Sequence, residues 1–202
     1  MSARPTPGQI RALHEWFVLG TRRAATMLNY LCESAVVEME VGPVEILTPA
    51  ELRSHLETRL GTVAVCGMEL IYNGHIEGCA QIVFPPPSST MLVETLATER
   101  RRRLDRDQVE MKTLSEVGNI LFNGLMGSLM ANFDEDITYM PPFYRQGPLS
   151  EILPPLDNSD RMTAVLGRTD VTIANEGWQE EIFIFFQVEQ FPRILAGLES
   201  SE

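Results

Sequence analysis

Four polar residues in the middle of the chain recur at helical spacing: Lys112, Glu116, Asn119 and Asn123. The intervals of four, three and four positions place these side chains above one another on one face of a helix. A carboxamide both donates and accepts hydrogen bonds, and a carboxylate accepts them. The simplest explanation of this stripe is a solvated polar face, but asparagine is a poor residue for a helix interior. We therefore interpret the stripe as a candidate surface for meeting a partner.

The cysteines and histidines do not favour other catalytic classes. The cysteines are odd in number without CxxC spacing, and the histidines are scattered without an HExxH pattern. Zinc binding, metalloprotease chemistry and a nucleophilic triad are therefore not indicated, and we expect no metal ligands in this chain. The expected apolar core residues are Cys32, Cys66 and Cys79, and the expected surface or capping residues are His14, His55 and His75.

The charge balance argues against a nucleic-acid-binding protein. The 202 residues include 16 Lys+Arg and 28 Asp+Glu, which gives a formal net charge of −12. Such a surface repels a phosphate backbone, so we expect no nucleic-acid partner. The arginine run 100–103 is interpreted as a solvated helix start or linker. Since no stretch approaches the ~20 apolar residues that span a bilayer and the first residues lack a signal-peptide core, we expect a cytoplasmic protein with no membrane partner.

A long helix over residues 107–132 is predicted to carry the polar stripe. Its opposite face has an apolar stripe at the same spacing, formed by Leu114, Val117, Leu121, Leu125 and Leu129. Gly118 lowers helix stability, and we interpret it as leaving open backbone beside the Asn119 amide.

The other elements are predicted from cap, turn and breaker residues. They are, in chain order, a helix over 6–32, a strand over 35–47, a helix from Thr48-Pro49 to near Gly61, a hairpin of 63–71 and 76–84 with Asn73-Gly74 as its tight turn, a break at prolines 85–87, a helix capped within 88–90 and ending near Leu96, the long helix, a strand over 137–144, a loop over 148–155 and a second hairpin. The tight turn places residue 68 opposite Cys79 and makes Cys66 a diagonal neighbour of Cys79.

The sequence repeats itself once. Residues 15–44 lie over residues 116–145 at an offset of 116 − 15 = 101, and the first hairpin lies over the second at about the same offset. We predict one domain over residues 1–202, made of two pseudo-repeats (about 1–100 and 101–202) related by a pseudo-twofold axis. The order of elements predicts an α+β fold with a largely antiparallel sheet and long helices.

In the polar stripe of the long helix and in its duplication, the chain resembles the CheC/CheX/FliY family of chemotaxis phosphatases, as a CheC-like member. The family pattern is an Asp or Ser, three residues, Glu, two residues, Asn, twenty-two residues and Pro, on a duplicated α+β domain. Here Glu116 and Asn119 take the Glu and Asn positions, and residues 120–141 separate Asn119 from Pro142. The resemblance also covers the order of elements along nearly the whole chain.

Two residues depart from the family pattern. Lys112 stands where the family has Asp or Ser, which changes the charge at the edge of the site. In the first half Glu15 aligns with the motif Glu, but Val18 takes the Asn position, and an alkyl group cannot orient water by hydrogen bonding. The resemblance therefore implies a single site, in the second half.

The resemblance implies hydrolysis of the phospho-aspartate of a CheY-like response regulator in chemotaxis or two-component signalling. Asn119 would hold the attacking water in line with the phosphorus, and Glu116 would pair with a cation of the partner, so that both are the candidate catalytic residues. The chain would need no cofactor of its own, because Mg²⁺ would be supplied by the response-regulator partner.

Two other functions remain open. One is a catalytically impaired CheC-like binding module that docks on a receiver domain or a CheD-like deamidase, which Lys112 and Val18 favour. The other is a structural protein of a motor or signalling assembly. Phosphate release from a phosphorylated receiver separates the enzyme from both.

Overall fold

The structure, a computed structural model, describes residues 5–31, 36–74, 76–96, 105–131, 137–153, 162–174 and 178–199. The helices in these residues are α1 (Pro7–Leu31), α2 (Pro49–Leu60), α3 (Pro86–Leu96), α4 (Arg106–Met130), α5 (Leu149–Ile152) and α6 (Phe191–Glu199). The strands are β1 (Val37–Leu47), β2 (Ala64–Gly74), β3 (Gly78–Phe84), β4 (Ile137–Tyr139), β5 (Phe143–Pro148), β6 (Thr163–Ile173) and β7 (Trp178–Val188). The predicted positions of Cys32, His75 and the arginine run lie outside the described residues.

Helix α2 begins and ends where its local residues predict. Thr48 caps it: the Thr48 hydroxyl accepts from the Glu51 amide at 3.2 Å, and the Thr48 amide donates to the Glu51 carboxylate at 2.8 Å. This reciprocal pair satisfies two amides that a helix start leaves unbonded. At the other end Gly61 has a φ of +66° and donates its amide to the Glu57 carbonyl at 2.9 Å. Both predicted ends of α2 are confirmed.

The predicted break at the prolines is wrong in its detail. Helix α3 begins at Pro86, so Pro86 and Pro87 form its first turn, and Ser88 and Ser89 are buried within it rather than capping it. Proline is tolerated in a first turn because an amide there has no partner inside the helix. Similarly, the predicted loop over 148–155 contains the short helix α5.

The predicted strand over 137–144 is two strands. β4 and β5 are separated by Pro141-Pro142, and both pair with β2. Proline cannot donate to a sheet ladder, so the pair interrupts the strand. Strands β4 and β5 therefore pair with two successive segments of β2.

The strands form one seven-stranded sheet in the order β1-β6-β7-β3-β2-β4, with β5 also paired to β2. Every pairing among the described strands is antiparallel. The predicted α+β class with a largely antiparallel sheet is confirmed. Along the chain the order of elements repeats once, and the pseudo-twofold relation between the halves stays a prediction.

The first hairpin differs from the predicted register. Cys79 lies opposite Ile71, and Cys66 lies opposite Phe84, so the two cysteines are not diagonal neighbours. The cause is β4: Asn73 and Gly74 pair with it and extend β2 instead of making the tight turn. Both cysteines are free thiols.

Each face of the sheet has its own apolar cluster. Helices α1, α3, α4 and α6 pack on one face in a large cluster, and α2 and α5 pack on the other in a smaller one. The alternation of side chains along a strand divides the residues between the two clusters, as in β2, where Met68 belongs to the large cluster and Val65 to the small one. Helix α4 is thus held by the large cluster along one side and free to present the other.

Helices α1 and α4 approach each other closely. A Cβ at Gly124 would lie 2.4 Å from the carbonyl oxygen of Gly20, so only glycine permits this approach without movement of the backbone. The Trp16 indole donates to the Leu125 carbonyl at 3.0 Å, and Arg23 donates to the Ser128 hydroxyl at 3.0 Å. These contacts fix α4 against α1.

Candidate functional site on helix α4

Helix α4 has one buried, apolar face and one accessible, polar face. Its start is capped by Asp105, whose carboxylate accepts from the Gln108 amide at 2.9 Å. The five residues of the predicted apolar stripe, Leu114, Val117, Leu121, Leu125 and Leu129, are all buried. The helix is therefore oriented as its sequence period predicts.

The predicted polar stripe faces outward. Lys112, Asn119 and Asn123 are exposed and Glu116 is half-buried. The structure thus brings the two candidate catalytic residues together on the accessible side of α4, one turn apart. Their catalytic role stays a prediction.

Three members of the stripe line one shallow, open groove of about 600 Å³. Its lining residues are Leu31 from the end of α1, Met111, Lys112, Ser115, Glu116, Asn119 and Ile120 from α4, and Tyr144 from β5. Asn123 lies on the same helix face but does not line the groove. Leu31 and Met111 are 57% and 40% exposed, so apolar surface lies beside the polar pair.

Tyr144 is held by a partly buried polar network. Its hydroxyl donates to the Cys66 thiol at 3.1 Å, and that thiol donates to the Glu110 carboxylate at 3.5 Å. Gln146 of β5 donates to the same carboxylate at 3.4 Å. These bonds connect β2, β5 and α4, and so fix the side of the groove that β5 provides.

Cys66 and Tyr144, two members of this network, are uncharged. Burial raises the pKa of the Cys66 thiol to about 11, and the Glu110 carboxylate adds to this increase. Burial also raises the pKa of the Tyr144 hydroxyl, and the contact with Cys66 acts in the same direction. Both groups stay protonated at neutral pH, so neither is a nucleophile or general base there.

Gly118 has a packing role rather than the predicted one. It is buried, and a Cβ there would lie 2.7 Å from the Cγ of Met68 in β2. The expectation that Gly118 leaves open backbone beside Asn119 is wrong, because its open side faces the sheet. The glycine instead lets α4 lie close to β2.

The motif proline lies near the groove without lining it. Pro142 is half-buried between β4 and β5, two residues before Tyr144. The family pattern points to Pro142, whereas the sequence gives no signal for Tyr144, Leu31 or Met111. No spacing pattern connects these three residues to Asn119; the sheet and the α1–α4 packing bring them together.

The corresponding face of α1 lacks the amide. Glu15 is exposed, and Val18 is half-buried against the large apolar cluster. The nearby His14 ring nitrogen lies 3.2 Å from the Val41 carbonyl oxygen. This arrangement offers no group that could orient water at residue 18.

Among the described residues, no group of three or more His, Cys, Asp or Glu side chains could hold a metal ion. No helix in the same part of the chain is long and apolar enough to cross a membrane.

The sheet order and the helix faces define the CheC/CheX/FliY-type chemotaxis fold, and the predicted resemblance is confirmed at the level of the fold. The sequence itself matches no family model and no curated protein. Among solved structures, FliY of Thermotoga maritima is similar at a TM-score of 0.75 and 14% identity, covering 99% of this chain and 100% of that one.

Two further solved structures are complexes. A chain of the FliG–FliM complex of H. pylori has a TM-score of 0.69 and 12% identity, covering 95% of this chain and 100% of that one. A chain of the CheX–CheY–BeF3–Mg²⁺ complex of Borrelia burgdorferi has a TM-score of 0.52 and 15% identity, covering 86% and 98%. At these identities the likeness establishes a shared fold.

Proposed function

We propose that the protein is a CheC-like phosphatase that hydrolyses the phospho-aspartate of a CheY-like response regulator. The observation that carries the proposal is the groove on α4, where Glu116 and Asn119 lie together at the surface with the spacing of the family motif. A neighbour of the same fold has been solved with CheY, BeF3 and Mg²⁺, which supports a receiver domain as the partner.

The chemistry requires little from this chain. An acyl phosphate is already reactive, and hydrolysis needs a water held in line with the phosphorus. The exposed Asn119 amide can accept one hydrogen bond from that water and donate another, provided that it enters the partner's site. Mg²⁺ remains with the partner, and no nucleophile from this chain takes part.

Glu116 sets the position of the partner. It is half-buried at the groove, so its carboxylate has fewer orientations than that of a fully exposed side chain. A cation of the receiver that contacts the phosphoryl group is its proposed counterpart. Because this contact exists before the reaction, Glu116 contributes to binding, whereas Asn119 contributes in the transition state.

The apolar surface beside the pair supplies contact area. Leu31 and Met111 are exposed next to Glu116 and Asn119, and Tyr144 is fixed on the other side by its bond to Cys66. A receiver that covers these side chains would exclude water from the reacting centre apart from the attacking molecule.

A pull-down followed by a phosphatase assay tests the proposal. Receiver domains are offered with Mg²⁺ alone and with BeF3⁻ and Mg²⁺, and each captured receiver is then phosphorylated and its phosphate release is measured with and without this protein. We expect capture that depends on BeF3⁻ and a faster release. Capture without acceleration would contradict the enzymatic proposal.

The second candidate is a binding module that has lost hydrolysis, acting on a receiver or a CheD-like partner. Lys112 in the groove and Val18 on α1 favour it, since both depart from the family pattern. The similarity to a chain of the FliG–FliM complex extends this candidate to a structural role in an assembly. The Lys112→Ser variant separates the possibilities: a newly gained activity would show that the lysine disables the site.

A further inference from the structure

Lys112 is the one cation among the described residues that line the groove. It is exposed, and no ion pair of its ammonium group is found in the part of the chain that the structure describes. The chain as a whole carries a formal charge of −12. The groove therefore carries a positive charge on a chain whose net charge is negative.

Lys112 lies in the same groove as Asn119 and on nearly the same face of α4. Residues 112 and 119 are two helical turns apart, on nearly the same face, which separates their Cα atoms by about 10.5 Å along the axis. This separation is close to the Debye length of about 8–10 Å, so the ammonium can attract an anion held beside Asn119 through space. Glu116 lies between them, one turn from Lys112.

The partner proposed above is negatively charged at this place. Its Mg²⁺ requires oxygen ligands, commonly carboxylates, and phosphorylation adds further negative charge to the same site. Two acidic surfaces repel each other at long range, and a cation at the contact reduces that repulsion. The reduction is greatest when the phosphoryl group is present.

We propose that Lys112 makes binding selective for the phosphorylated receiver. The inference rests on the proposed function and adds a specificity residue to its site. Removal of the ammonium group weakens binding of the phosphorylated receiver more than that of the unmodified one. The selectivity should also decrease with salt, because the contact is electrostatic and lies at an exposed groove.

The test compares dissociation constants for the captured receiver with BeF3⁻ and Mg²⁺ and with Mg²⁺ alone. The proteins are the wild type, Lys112→Gln, and Arg106→Gln as a matched control. Arg106 is exposed on the same helix outside the groove, so its replacement removes an equal charge. Lysine and glutamine have similar helix propensities, so the fold should be preserved.

We expect Lys112→Gln to weaken binding of the BeF3⁻ form about fivefold and that of the Mg²⁺ form less than about twofold. Arg106→Gln should leave the ratio unchanged. An unchanged ratio in Lys112→Gln, with wild-type binding intact, would overturn this inference and leave the proposed function standing. Failure of the wild type to bind the receiver in either form would overturn the proposed function itself.

Discussion

Replacement of Gly124 by alanine tests whether the close approach of α1 and α4 holds the site helix in place. An added Cβ would lie 2.4 Å from the Gly20 carbonyl oxygen and 3.2 Å from the Ala24 amide nitrogen. Carbon–oxygen contacts in proteins are about 3.3 Å or longer, so the two backbones must separate by about 1 Å. Overpacking of this kind costs about 1–3 kcal/mol, against about 1 kcal/mol gained because alanine favours a helix. We expect a net loss of about 0–2 kcal/mol in the free energy of unfolding.

Gly127→Ala is the matched control for this prediction. Gly127 lies on the same helix, but a Cβ there meets nothing within 4 Å. We expect this variant to gain about 0.5–1 kcal/mol. Urea unfolding followed by circular dichroism gives both values from the midpoints, provided that the slope is unchanged. A Gly124→Ala variant as stable as Gly127→Ala would refute the packing argument.

Three further variants or measurements test other parts of the structure. Thr48→Ala should lower the free energy of unfolding by about 1 kcal/mol, measured in urea, because it removes the α2 cap. Hydrogen bonds from Thr48 lower the pKa of Glu51 below 4.5, so this carboxylate contributes stability above that pH and loses its contribution on acidification. In Thr48→Ala the NMR titration of Glu51 should move back towards 4.5. An unmoved titration would contradict the assigned cap. Cys66, with a pKa of about 11, should be only about one part in a thousand thiolate at pH 8, so iodoacetamide should label it slowly in the native protein and rapidly after denaturation; rapid native labelling would show that it is not buried. Glu116→Lys should weaken receiver binding at least about tenfold in titrations, since it reverses the charge of the proposed contact, and undiminished binding would remove Glu116 from the interface.

The sequence predicts well those features that depend on neighbouring residues. Thr48 and Gly61 define the ends of α2 through bonds to residues three or four positions away. The period of α4 predicts which side is buried, because burial follows the helical repeat. The exposure of Asn119 follows from the same pattern.

Features that depend on distant segments are harder to predict from the sequence. The Asn73-Gly74 pair has the chemistry of a tight turn, but pairing with β4 draws it into the strand. Gly118 is explained by Met68, which is fifty positions earlier in the chain (118 − 68 = 50). The groove likewise needs Leu31 and Tyr144, which only the assembled sheet and helices bring to α4.

The most direct test of the proposed catalytic site is the rate of phosphate release from the phosphorylated receiver at saturating concentrations of wild type, Asn119→Ala and Asn123→Ala. Both asparagines are exposed on the same face of α4, but only Asn119 lines the groove. We expect Asn119→Ala to slow release by at least about a hundredfold while its dissociation constant stays within about twofold of wild type, because the amide acts on water as the transition state forms. Asn123→Ala should retain the wild-type rate. An Asn119→Ala variant that hydrolyses the phosphate as fast as the wild type would contradict the assignment of Asn119.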